Sequence, residues 1–171
     1  MMLIISIVAG VAIISGMITI YNVMIFSRNR VRQSLANIDV ILKQRNDEID
    51  NLVRVVKGYS SFERDVLEKI TRIRSGFDPY LDVRDKDRFN KNIETTYKQL
   101  FANVENYPDI KADEHYMRLQ QRITGLENQL ADRREYYNWS VTNYNTRLET
   151  FPYSIIAGIF NFRKAELFKF S

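Results

Sequence analysis

"NVMIFSRNRVRQSLANIDVILKQRNDEIDNLVRVVKGY", Asn22 to Tyr59, joins an uncharged N-terminus to a charged interior, and its reading decides the fold. Apolar residues fall at Val31, Leu35, Ile38, Leu42, Ile49, Leu52, Val56 and Tyr59, in steps of four and three, with Arg45 at the one missing place. This is a heptad seam. It predicts a long helix with one face buried against other helices. No Pro or Gly lies between Met17 and Lys57. The simplest reading is therefore one helix continuous from the apolar N-terminus into the charged body.

The preceding stretch, "MMLIISIVAGVAIISGMITIYNVMIF", is apolar for about 26 residues, and Met1 to Ser27 contains no Asp, Glu, Lys or Arg. At 1.5 Å per residue such a helix spans roughly 39 Å, more than a ~30 Å hydrocarbon core. It fits a tilted transmembrane helix, residues 1–27. A cleaved signal peptide would want a basic start and a shorter apolar run, and neither is present. Arg28, Arg30 and Arg32 follow the span, with nothing basic before it except the amino terminus. The positive-inside rule then puts a short N-terminus outside and the C-terminal domain in the cytoplasm, in a cell inner (plasma) membrane. Ser6 and Gly10, and Ala12 and Gly16, are each four apart. They either let a second helix approach closely or reflect the ordinary Gly and Ser content of membrane helices.

Downstream, residues 28–150 read as an antiparallel up-and-down helical bundle. Helices are expected over about 28–58, 60–75, 86–106 and 112–150. Gly58 is a natural stop, and Ser60 with Glu63 has capping-box spacing. The rival is a helix that passes through Gly58 to Ser75, since one Gly costs only about 1 kcal/mol. The third helix carries Phe89, Ile93, Leu100 and Val104 on one face. The fourth carries Leu119, Ile123, Leu126, Leu130, Tyr137, Val141, Tyr144 and Leu148, and Pro152 lies beyond its end. With the break at Gly58, rises and descents nearly match, and the chain returns to membrane level near Phe151.

The last segment, residues 151–171, is aromatic and amphipathic. Ile155, Ile156, Ile159, Phe160, Phe162 and Phe168 are mixed with Arg163 and Lys164. It is too short and too charged to span a bilayer. It either contacts the membrane or a neighbouring subunit, or caps the open end of the bundle. The fold class expected is thus all-α: a transmembrane helix continuous with the bundle, plus a short amphipathic C-terminal segment.

Chemistry is sparse. The 171 residues include no Cys and one His, His115, so thiolate sites, disulfides and a zinc site have no support. No P-loop, GxGxxG, HExxH or GxSxG motif occurs. No catalytic, cofactor-binding or metal-binding residue is assigned. The net charge of +4 is mild, with bases and acids interleaved, which gives no case for nucleic acid. What stands out is a polar set on the first helix: Asn22, Asn37, Asp39, Arg45 and Asn51. These residues either fix register inside the bundle, with Arg133 or Arg134 on the fourth helix nearby, or form a solvated face, or contact a partner.

The same stretch resembles the LemA family. Its residues carry the family's Tyr21–Asn22 pair, Arg28–Asn29, the Ala36-Asn37-Ile38-Asp39-Val40 core, Lys43 and Arg45, Asn51-Leu52-Val53, and Val56-Lys57-Gly58-Tyr59 with Glu63 after it. The later "NVENYPDIKADEHYMRLQQRITGLENQLADRREYYNWSVTNYNTRLETFPYSIIAGIFNF" is similar to the family's Tyr-Pro-Asp turn, Arg-Arg-x-Tyr-Asn, Tyr-Asn-Thr and closing Phe-Pro elements. Two positions depart from the pattern: Asp50 stands where the family usually has Pro, and Leu35 where it commonly has Trp. The resemblance implies a single-span membrane protein with a helical cytoplasmic body, and it implies no reaction. Some relatives are discussed with membrane proteases or membrane-shaping organelle proteins. Two functions are therefore expected to compete. One is a non-enzymatic, self-associating scaffold or membrane-shaping homo-oligomer on the bilayer. The other is an adaptor that presents its bundle to another membrane protein, such as a membrane protease.

Overall fold

A computed structural model describes residues 1–58, 78 and 80–168. The helix expected over 60–75, with its capping box at Ser60 and Glu63, lies outside the described residues. Five helices occur among the described residues: α1 (Met2–Lys57), α2 (Val83–Val104), α3 (Pro108–Lys111), α4 (Glu114–Glu149) and α5 (Tyr153–Ile159). None of the described residues is in a strand.

α1 is one uninterrupted helix because nothing in it breaks the ladder, and it ends at Lys57 with Gly58 in a turn. Arg54 and Lys57 in its last turn oppose the negative end of the helix dipole. Its N-terminal half contains an 18-residue window apolar enough to cross a membrane, none of it buried by the rest of the chain. α2 begins at Val83, three residues before the expected start. Asp82 supplies the N-cap by accepting from the Asp85 N–H at 2.8 Å. α3 is a single turn begun by Pro108, inside a stretch that reads as a turn. At the start of α4, Asp113 accepts from the His115 and Tyr116 N–H groups at 2.7 and 3.2 Å.

The chain divides into two compact units. The first comprises Met1–Leu35 and Glu135–Leu167. Here Met24, Ser27, Val31 and Ser34 of α1 are buried, as are Tyr137, Val141 and Tyr144 of α4 and Ile156 and Ala157 of α5. Residues three and four apart recur because that is the spacing of one helix face. Arg30 meets Trp139, and Ser27 accepts from Arg147, so α1 and α4 run antiparallel here.

The second unit comprises Ala36–Arg134 and Phe168–Ser171. Its core joins Ile49, Leu52 and Val56 of α1 to Phe89, Ile93, Tyr97, Leu100 and Val104 of α2, Ile110 of α3, and Tyr116, Leu119 and Ile123 of α4. Asp39 meets Lys86 and Arg45 meets Asn90, so α1 and α2 rise together. Arg45 meets Glu127 and Glu48 meets Arg122, so α4 descends against them. The seam face of α1 is thus buried against other helices, as the heptad spacing predicts, with α4 antiparallel to both.

The C-terminal segment is helical only through α5. Asn161 adopts φ 52, the Phe162 N–H reaches Ala157 O at 2.9 Å, and the Asn161 N–H reaches Gly158 O at 3.4 Å. That pattern is a Schellman stop with Asn at the left-handed position. Beyond it the chain is non-helical and held to α4 by side chains. Asn145 Nδ2 donates to Ala165 O and Asn145 Oδ1 accepts from the Ala165 N–H, both at 2.9 Å. Tyr144 and Tyr137 hydroxyls donate to Arg163 O at 3.0 Å and Glu166 O at 2.8 Å. These bonds satisfy backbone groups that a non-helical segment would otherwise leave without a partner.

Candidate functional site

Two places gather polar or aromatic groups beyond what packing needs, one in each unit. In the first unit they lie where α1 leaves its uncharged stretch. Tyr21 packs on Phe160 with ring centroids 4.7 Å apart, and on Phe162 at 6.1 Å. Arg28 lies over the Phe162 ring at 5.2 Å. Ser27 Oγ donates to Val23 O at 2.9 Å and accepts from Arg147.

These contacts fix the height of α5 along α1. Tyr21 is six residues before Ser27, roughly 9 Å along the helix. The C-terminal end of α5, which Phe160 and Phe162 follow, therefore sits beside the uncharged stretch, below the first arginine. Its inner side buries Ile156 and Ala157, while Ile155 is 52% exposed, Ile159 62% and Phe160 54%, with Phe151 80% exposed just before it. Of the tail residues singled out from sequence, Phe162 is half-buried against Tyr21 and Arg28. Arg163 is exposed, and Lys164 is exposed and ion-paired with Glu149. In the second unit, Phe168 is buried under the Arg134 guanidinium at 5.1 Å. Ser6, Ala12 and Gly16 are exposed and Gly10 is half-buried. A Cβ at Gly10 or Gly16 would meet no neighbouring atom within 4 Å.

In the second unit the polar cluster centres on Arg45, which is 2% exposed. Its Nη1 donates to Asn90 Oδ1, and its Nη2 donates to Glu127 Oε1 at 3.1 Å. The Tyr97 ring faces the guanidinium at 5.6 Å, and its hydroxyl donates to Arg45 O at 2.6 Å. Burial pulls the Arg45 guanidinium below its ordinary value, and Glu127, Tyr97 and Glu94 oppose that. Burial pushes the Tyr97 hydroxyl up. A cavity of about 210 Å³ adjoins the cluster, lined by Arg45, Asn90, Glu94, Glu127, Leu130, Ala131 and Arg134. Arg134 pairs with Asp87, which also holds Lys91 at 3.2 Å. Each charged lining residue is thus paired, Arg45 with Glu127 across the cavity wall, Arg134 and Glu94 with Asp87 and Lys98 outside it.

The other polar residues of α1 separate. Asp39 pairs with Lys86 Nζ at 2.7 Å. Asn51 donates to Glu48 Oε2 at 2.7 Å and accepts from Arg54 at 2.5 Å. Glu48, buried, takes Arg122 Nε at 2.6 Å. Asn22 and Asn37 are exposed. The structure brings Arg45 to Asn90, Glu127 and Tyr97, which sequence reasoning did not identify. Nor did it identify Trp139 or Arg147. The single tryptophan in the chain was the available signal for Trp139. His115 lies in the first turn of α4, exposed.

Comparison with known proteins finds relatives that cover most of the chain. Magnetosome protein MamQ 2 of Paramagnetospirillum magneticum is 21% identical over 197 residues, covering 98% of this chain and 71% of its own length. Magnetosome protein MamQ of Magnetospirillum gryphiswaldense matches with the same identity and coverage. Protein LemA of Metamycoplasma hominis is 25% identical over 137 residues, 80% of this chain and 63% of its own. The LemA family model matches residues 34–171, and the chain belongs to the LemA family.

Proposed function

We propose that this chain is a non-enzymatic, single-pass scaffold that self-associates on the cytoplasmic face of the inner membrane and shapes it, holding α5 against the bilayer as a second membrane contact. The observation that carries this reading is the height of α5. Its apolar side is exposed beside Tyr21, within the uncharged stretch of α1, below Arg28. A half-exposed Ile or Phe gains about 1 kcal/mol on leaving water, so Phe151, Ile155, Ile159 and Phe160 together contribute about 4 kcal/mol. That would be marginal for a free peptide. Here α1 already holds α5 at the surface, so insertion is intramolecular and needs no further association entropy. A wedge of this kind, shallow and on one leaflet, expands that leaflet and favours curvature. The N-terminus outside and body inside follow from Arg28, Arg30 and Arg32. Support for self-association is the exposed Ser6, Ala12 and Gly16 on the span and the open space beside Gly10.

The test has two arms. Native mass measurement of the full chain in nanodiscs should give a discrete homo-oligomer. A monomer that co-purifies with one other membrane protein would instead support the adaptor reading. Ile155→Asp with Ile159→Asp should abolish vesicle deformation while leaving helicity unchanged. Unchanged deformation would remove α5 from the mechanism.

A further inference from the structure

We propose that the exit of α1 carries a headgroup site for anionic phospholipid at Arg30, walled by Phe26 and Trp139, with Arg28 and Arg32 on the opposite side of the helix adding to the local positive field. It rests on the membrane reading above and adds the lipid class. The first observation is charge. The first unit holds six bases (Arg28, Arg30, Arg32, Arg147, Arg163, Lys164) against three acids (Glu135, Glu149, Glu166). That surplus of three makes up most of the chain's net +4, so the positive charge is local rather than dispersed.

The second observation is pairing. Among the described residues no carboxylate pairs with Arg28, Arg30 or Arg32; the ion pairs of this unit lie elsewhere. Arg30 lies over the Phe26 ring at 4.9 Å and the Trp139 ring at 5.9 Å. Arg28 lies over Phe162 at 5.2 Å. An aromatic face holds a guanidinium in place but neither cancels its charge nor occupies the N–H donors around its edge. Those donors suit the oxygens of a phosphodiester.

The third observation is depth. Helix side chains lean toward the N-terminus, so Arg30 reaches back to Phe26, in the last turn of the uncharged run. Trp139, 50% exposed, meets that same guanidinium and is thereby set at the end of the run. Tyr136, 45% exposed, stacks on it at 5.7 Å. Trp and Tyr are favoured at that level of a membrane. A phosphodiester there has apolar groups below and arginine donors at its own height. A zwitterionic headgroup would bring its own cation beside Arg30 and into the field of Arg28 and Arg32, and an anionic one would not.

Trp139 is the single tryptophan, so its emission reports this position alone. The full chain is reconstituted in vesicles containing either dibrominated phosphatidylglycerol or dibrominated phosphatidylcholine, and quenching gives their relative association constant. The anionic lipid should be preferred by about fivefold or more, the factor for one arginine near a charged surface. The preference should fall toward unity in 1 M salt and in Arg28→Gln/Arg30→Gln/Arg32→Gln, and persist in the corresponding triple Lys variant. The salt titration uses the unmodified chain, so it decides even if the Gln variant does not fold. Equal quenching by both lipids would overturn the headgroup site. Quenching by neither would put Trp139 in water or against another copy, and would overturn it too. A probe at Ile155 reads α5 separately, so either failure is distinct from failure of the membrane reading.

Discussion

Removing either partner of the Arg45–Glu127 pair should destabilise the fold, and unequally. Arg45 is 2% exposed and the Glu127 side chain is 39% exposed. In Glu127→Ala the guanidinium stays buried with its counter-charge gone, the situation that costs about 3–5 kcal/mol. Glu94 also faces Arg45 and opposes the loss, so the lower end, about 3 kcal/mol, applies. In Arg45→Met the remaining Glu127 simply hydrates. The group left without a partner is Asn90, 4% exposed, which costs about 1–3 kcal/mol. The Tyr97 hydroxyl keeps its acceptor, because that acceptor is the backbone carbonyl of residue 45. The triple change Arg45→Met/Asn90→Leu/Glu127→Leu should return to within about 1 kcal/mol of the unmodified chain or exceed it, since an apolar replacement carries no desolvation penalty. Urea unfolding of the full chain in micelles, followed by circular dichroism, measures all three. If Arg45→Met costs more than Glu127→Ala, or the triple change is the worst of the set, burial of the guanidinium is not what sets these energies.

Other expectations follow from the caps, the tail and the tyrosines. Asn145→Ala deletes both hydrogen bonds to Ala165, each worth about 1 kcal/mol net. Amide exchange at Ala165 should then rise roughly thirtyfold while exchange in the α2 core stays the same. Asp113→Ala removes the acceptor at the start of α4 and should cost about 1 kcal/mol in thermal unfolding. Burial first, and Glu166 second, pushes the Tyr137 hydroxyl up to about 12. Its folded value is raised above the unfolded value of about 10, so its stabilisation is complete below pH ~10 and lost as pH climbs through about 12. Burial, with a smaller contribution from Glu105, also pushes Tyr116 up to about 12, so the second unit should weaken over the same range. Tyrosinate absorbance and helicity should change together there, and a tyrosine titration completed near pH 10 with intact helicity would contradict this.

Much of the architecture is legible in the sequence because it depends on local rules. α1 is continuous because no breaker falls within its later two thirds, and the buried faces of α2 and α4 follow from the spacing of Phe89, Ile93, Leu100 and of Leu119, Ile123, Leu126. Arg45 is conspicuous as the one charge in the seam. Its partners are not, since Asn90 and Glu127 are ordinary polar residues on helices distant in sequence, and only the packed bundle brings them together. The tail divides for the same reason. Hydrophobicity marks Ile156 and Phe168 as readily as Ile155 and Phe160, yet the first pair is buried and the second exposed. Residues 162–168 are held by hydrogen bonds from Tyr137, Tyr144 and Asn145, which leave no periodic trace. One-turn α3 is hidden because Pro108 both starts a helix and marks a turn.

The placement of α5 in the bilayer is the claim on which the functional account turns, and the absence of cysteine makes it directly measurable. A single cysteine at position 155 or position 37 of the full chain, carrying an environment-sensitive fluorophore, is read in vesicles with depth-dependent quenchers. Asn37 is exposed and lies nine residues, roughly 14 Å, beyond Arg28. With α5 in the bilayer, the probe at 155 is blue-shifted and lipid-quenched and the probe at 37 is water-quenched. Water quenching at both positions would contradict that placement.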